Sequence, residues 1–493
     1  MPASHPGSPR MLDECTPLLD EVHKDPEGRA RYIKPATPLP KLQLAIICVI
    51  RFTDSLLSTQ MWPYINQFIL SLRLTKEPSQ AGFYSGLLDS VFGLTQLLTT
   101  YYWSRLSNRV GRKPVILVGT IGVALSTMYL GISTSLAELL ISRIIGGVFG
   151  GTASVVPSVV GDLSDDSNQA VVFPIYALAW PIGSIAGPFI GAMLSNPARK
   201  YGSVFQNSIF SRHPYFLPGL ASGLLTLLCT LLAYLYLKES FRKRPAEDIS
   251  DEVFSGECDT SLKQLFSIPI IWSLTISAFS FNVNAYAFDF IFLLLCYSPI
   301  ERGGLSLSSS AIGLALSACG VVYLALQLFI MPVMLKRVEA TALYTITIAS
   351  WPVVFATLPL INIVARRGFA TETGEMDSSM RIILWAGVAF VLILSRIGYE
   401  AYSLSLILTK TNTSDPALLA VSNGLVSCAN SLARIVGPVL GSFIFSVSDQ
   451  YHLLGGYFWA MFMVCSCLWT CKLSRDVARH SRSSLKYYTE GEF

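Results

Sequence analysis

The sequence predicts an all-α membrane protein with twelve transmembrane helices set in two six-helix bundles, and three observations carry that expectation. Apolar residues fill 52% of the 493 positions and charged ones only 14%, more apolar surface than one soluble core can hide, so the surplus must face lipid. The apolar residues gather in twelve long runs. Those runs divide six and six about a charged connection that starts at Lys238.

A helix needs about 20 apolar residues to cross a ~30 Å hydrocarbon layer. The runs lie near 42–72, 79–102, 114–132, 136–158, 171–194, 214–237, 268–296, 310–334, 340–364, 381–408, 416–446 and 453–471. Backbone amides cannot stay unpaired in hydrocarbon, so runs this long read as continuous helices; barrel strands would span about ten residues with alternating polarity. Ahead of them, residues 1–41 form an arm that is polar, holds eight prolines within positions 1–40 and lacks apolar periodicity, which predicts disorder. The first bundle then covers 42–237, a central loop 238–267, the second bundle 268–471 and a tail 472–493.

Charge placement sets the expected orientation. With both termini in the cytosol, 23 of the 36 Lys and Arg fall on the cytosolic side, nine on the opposite side and four inside spans, the asymmetry that fixes membrane topology. The net charge of +4 is therefore read as topology and implies no nucleic-acid partner. The arm has no signal-peptide core, so the first span directs insertion. Most of the ten cysteines sit in or at the end of spans and imply no disulfide framework.

Catalytic signatures are missing. The chain has no His-Glu-x-x-His, Gly-x-Ser-x-Gly or Walker pattern, and all five histidines lie outside the spans, which argues against an enzyme, an ATP-driven pump, an intramembrane metal site or a bound cofactor. The spans instead carry eight ionisable residues: Arg51 and Asp54 in the first, Asp89 in the second, Arg143 in the fourth, Asp289 in the seventh, Arg396 and Glu400 in the tenth, Arg434 in the eleventh. An ionised side chain at mid-bilayer costs at least ~2.5–3.5 kcal/mol, so each needs a partner or water. Arg51 with Asp54, and Arg396 with Glu400, share helix faces at i,i+3 and i,i+4. Two readings stand: acids that release and regain protons, or static ion pairs that hold helices together.

A faint repeat links the halves. Arg143 precedes Gly187-Pro188 much as Arg396 precedes Gly437-Pro438, and each pair continues to a glycine three positions on, Gly191 and Gly441, as expected of duplicated bundles. Gly183, Gly187 and Gly191 line one helix face, where missing side chains admit a neighbouring helix, and Pro188 adds a kink.

The turn between spans two and three, Trp103-Ser-Arg-Leu-Ser-Asn-Arg-Val-Gly-Arg-Lys-Pro114, resembles the corresponding loop of the major facilitator superfamily at Arg109, Gly111, Arg112 and Lys113, with Ser104 and Asn108 in place of a glycine and an aspartate. Gly183–Gly191 is similar to the fifth-span signature of its drug:proton antiporters, and Arg143-Ile-Ile-Gly-Gly147 to a motif of proton-driven members. Ala81–Leu87, Leu237–Ser240, Ser422–Leu425 and Ser431–Pro438 resemble the fungal and plant branch of the drug:H+ antiporter-1 family that includes zinc-induced-facilitator-like carriers.

The resemblance implies alternating access, with spans one, four, seven and ten lining a cavity for a small organic solute and protons. It places Arg51, Asp54, Arg143, Asp289, Arg396 and Glu400 there, Asp54 being coupled to Arg143. Asp89, Asn108, Arg109, Gly111, Arg112, Lys113 and Arg434 take gating positions. Asn108 weakens the latch, and Arg109, Arg112 and Lys113 are in reach of the acids within Gly161–Asp166. Efflux by a functional monomer is the leading reading; a transport-dead nutrient sensor and a proton-coupled importer are the alternatives. In the arm, Glu14-x-x-x-Leu18-Leu19 resembles an acidic dileucine signal read by sorting adaptors, which would send the protein to the vacuolar membrane rather than the plasma membrane.

Overall fold

The computed structural model describes residues 23–24, 30–31, 40–73, 78–164, 168–206, 209–239, 269–368, 378–412 and 416–490. Glu14, Leu18 and Leu19, most of the arm and most of the central loop lie outside them. Within the arm, His23–Lys24 and Ala30–Arg31 pair as a minimal antiparallel ribbon.

Twelve helices of 15 or more residues stand among the described residues: α1 Lys41–Thr59, α2 Pro78–Val110, α3 Arg112–Ile132, α4 Leu136–Gly150, α5 Gln169–Leu194, α6 Phe216–Tyr236, α7 Pro269–Tyr297, α8 Ser309–Ala325, α9 Ala340–Gly368, α10 Ser378–Thr411, α11 Pro416–Gln450 and α12 Phe458–Glu490. Ten of them, α4 and α8 together with their continuations, are long and apolar enough to cross a membrane. Local chemistry explains the starts. Proline opens α2, α7 and α11, where its missing N–H and fixed φ cost nothing. At α4, Ser135 accepts from the Glu138 N–H at 3.3 Å while Glu138 accepts from the Thr134 N–H at 2.6 Å, a reciprocal cap.

Helix packing defines two halves. In the first, α1 lies on α5 and α6, α3 on α6 and α4, and α2 on α4; in the second, α7 lies on α11 and α12, and α9 on α10 and α12. The halves meet along two seams, α2 with α11 and α5 with α8. On the first seam Ser90 Oγ donates to the Ile435 carbonyl at 2.6 Å; on the second Ser317 Oγ donates to the Ile185 carbonyl at 3.0 Å.

Three elements differ from the sequence expectation. The stretch after Trp103 is helix through Val110, and the chain turns at Gly111 alone, whose φ of +112° is a conformation glycine adopts freely. The fourth span bends through a 3-10 turn, Gly151–Ser154, before a further helix, Val155–Leu163. The last helix passes its expected end at 471 into the tail: α12 runs on to Glu490, with Ser474, Val477 and Ser481 buried and His480 sharing a 3.2 Å hydrogen bond with Ser273 of α7.

Candidate functional site

Close helix approach builds the site. Cβ atoms on Gly187 and Gly437 would stand 2.8 Å from the Leu56 carbonyl and 2.9 Å from the Val283 carbonyl, so α5 seats on α1 as α11 seats on α7. Gly183, Gly191 and Gly441 meet the same helices: Gly183 faces Phe52, Gly191 faces Gln60 and Gly441 faces Ala287. Pro188 and Pro438 lie inside α5 and α11. Likewise Gly147 lets α4 approach α2, where a Cβ would come 2.5 Å from the Phe92 carbonyl.

That last contact positions the first charge pair. Arg143 of α4 is 7% exposed and Asp89 of α2 also 7%; Arg143 Nη2 stands 3.8 Å from Asp89 Oδ1 and donates to Met61 Sδ at 2.7 Å. The second half holds a pair of the same length, Arg396 Nη2 of α10 standing 3.8 Å from Asp289 Oδ1 of α7; the arginines occupy equivalent helices, the acids do not. Each guanidinium also lies against a ring, Arg143 5.0 Å from Phe92 and Arg396 4.6 Å from Tyr399, a favourable placement for a cation out of water. Asp89 and Asp289 are close enough for their charges to interact.

Arg434 joins the halves. From α11 it donates to Gln96 Oε1 of α2 at 3.3 Å and packs 5.5 Å from the same Phe92 ring that Arg143 uses. Asp89, Phe92 and Gln96 thus form one face of α2 that serves cations from both halves.

The expected pairing of Arg51 with Asp54 is present, and two others are corrected by this geometry. Asp54 does not meet Arg143: Arg51 takes it at 2.9 Å and rests 4.3 Å from the Trp180 ring, while the close α2–α4 seam gives Arg143 to Asp89. Arg396 does not bond Glu400 one turn along, because Asp289 faces it from α7. Glu400 is 4% exposed, and neither carboxyl oxygen has a hydrogen-bond partner. The cavity beside Arg51 and Asp54 is lined by Gly119 and Thr120 of α3, Thr152 of the 3-10 turn after α4 and Thr226 of α6, so it lies within the first bundle rather than between halves.

At the Gly111 end, Arg112 stands 2.5 Å from Asp162 and Lys113 Nζ lies 5.6 Å from the Tyr234 ring. Asn108 and Arg109 are exposed on the last turn of α2. The start of α3 is held by Glu239, which accepts from the Arg112 and Lys113 N–H groups at 2.9 and 3.1 Å, an anion at a helix N-terminus. Sequence reasoning missed the role of Glu239, although a helix opening on Gly-Arg-Lys leaves N–H donors for an acid. It also missed Met61, Phe92 and Gln96, which carry no signal apart from their partners.

Two bundles of membrane helices, alike in their packing and each enclosing an Arg–Asp pair, define a membrane carrier. The chain belongs to the Major Facilitator Superfamily, which matches residues 44–438. It is an integral membrane transporter. Its sequence is 33% identical to the major facilitator-type transporter psiT2 of Psilocybe cyanescens over 95% of this chain and 96% of that one, and 27% identical to the efflux pump azaK of Aspergillus niger over 92% of each. Its fold matches a bacterial homologue of the human lysosomal transporter Spinster, crystallised inward-facing and unoccupied, with a TM-score of 0.64, 16% identity and coverage of 92% and 99%.

Proposed function

We propose that this transporter exports a small organic solute in exchange for protons, with both termini cytosolic and one chain as the working unit. The observation that carries the reading is the matched separation of Arg143 from Asp89 and Arg396 from Asp289, both at 3.8 Å. A separation that long is at the outer limit of an ion pair, so proton gain or loss there shifts the balance between pairings. Similarity to an efflux pump supports the outward direction. Residence in the plasma or vacuolar membrane belongs to the same reading, sorting adaptors choosing between them.

Comparing intracellular and extracellular small-molecule profiles of cells lacking the protein with those of their parents tests the direction. The reading expects at least one organic solute to build up in the deficient cells and to fall outside them. Matching profiles, or a solute that accumulates only outside, would overturn it.

A further inference from the structure

We propose that Glu400 carries the exchanged proton in the second half of the protein, with Arg396 as its alternating partner; this rests on the proton-exchange reading above. Glu400 is the anomaly of the site. It lies 4% exposed on a membrane helix, with no hydrogen-bond donor or acceptor on either carboxyl oxygen. An ionised carboxylate in that setting would forgo solvation without compensation. The group therefore rests as the neutral acid, its own proton taking the place of a cation.

The surroundings supply a means of releasing that proton. Arg396 lies one helical turn earlier on the same face of α10, now drawn to Asp289 of α7 at 3.8 Å. Its Nε has no hydrogen-bond partner, so the side chain is not fully committed. The other groups around the pair are Tyr399 on α10, which donates to the Ala285 carbonyl of α7 at 2.9 Å and also faces Asp289, and from α8 Cys319, facing Arg396 and Asp289, and Tyr323, in electrostatic range of Glu400, Arg396 and Tyr402. From α9 the neighbour is neutral Trp351, edge-on to Tyr399 with ring centroids 5.3 Å apart. Arg434 of α11 is turned to Gln96 and Phe92 of α2.

The exchange follows. The Glu400 O–H bond breaks and its proton passes to water admitted from one side, leaving the electron pair on the carboxylate. Arg396 turns to that new anion and gives up Asp289, which is then open to a donor group of the solute. When water from the other side returns a proton to Glu400, Arg396 goes back to Asp289 and displaces the solute. One proton moves per solute, and the arginine stays charged throughout.

Infrared difference spectroscopy of the full-length protein in lipid, taken while pH is raised, reads the carboxyl directly. The wild type should lose a protonated-carboxyl C=O band that is absent in Glu400→Gln, while Glu400→Asp retains one. In Asp289→Asn, Arg396 is released to Glu400, so the same band should vanish at lower pH than in the wild type. A band that survives in Glu400→Gln removes Glu400 as the carrier. A band that vanishes at the same pH in Asp289→Asn removes Arg396 as the alternating partner. Neither result depends on solute transport, so a failed exchange reading and a failed Glu400 assignment are told apart.

Discussion

Arg143 Nη2 stands 3.8 Å from Asp89 Oδ1, on helices that touch because Gly147 presents no side chain to Phe92. Both residues are buried, and removing one partner strands the other's charge. Arg143→Met or Asp89→Asn alone should each cost about 3 kcal/mol, whereas the double variant should recover much of that loss. Thermal unfolding in detergent checks the cycle. Losses that simply add would show that the two side chains do not act together.

Gly187→Ala should destabilise, since its Cβ would stand 2.8 Å from the Leu56 carbonyl and backbone cannot move aside as a side-chain tip can. A fair control is Gly424 in α11, which meets nothing within 4 Å; there alanine should be neutral or stabilising by up to about 1 kcal/mol. Equal melting shifts for Gly187→Ala and Gly424→Ala would refute the packing argument.

Glu239→Ala should free two N–H groups at the start of α3 and cost about 1–2 kcal/mol. Glu239→Gln, which still accepts a hydrogen bond without charge, should fall between. Hydrogen exchange at the Arg112 and Lys113 amides reports the change locally. Amide protection left intact in Glu239→Ala would mean that α3 does not depend on this cap.

Changing Leu18 and Leu19 to alanine should move a fluorescent fusion from an internal membrane to the cell surface while transport in isolated vesicles persists. A wild-type fusion already at the cell surface would end the sorting reading.

The helical membrane fold was legible because lipid imposes a length and an apolarity on each span, and α3, α6 and α7 lie within two residues of their expected limits. Ends set by polar contacts were not legible. The continuation of α12 depends on buried Ser474, Val477 and Ser481, and the helical course of Trp103–Val110 on a single turn at Gly111. All eight intramembrane charges were visible as residues, and spacing gave the pair Arg51 with Asp54, yet the pairings between helices were not legible. Spacing along one helix suggested Arg396 with Glu400, while contact between helices gives Arg396 to Asp289. Sequence spacing reports only neighbours on the same helix.

The most direct measurement of proton-coupled export is proton flux in proteoliposomes that hold a pH-sensitive dye, with the solute identified from the profile comparison applied on one side. The account predicts that solute moving down its gradient drives protons in the opposite direction, and that an imposed pH gradient drives solute uphill against it. Solute movement with no pH change, or with protons travelling in the same direction, would contradict it.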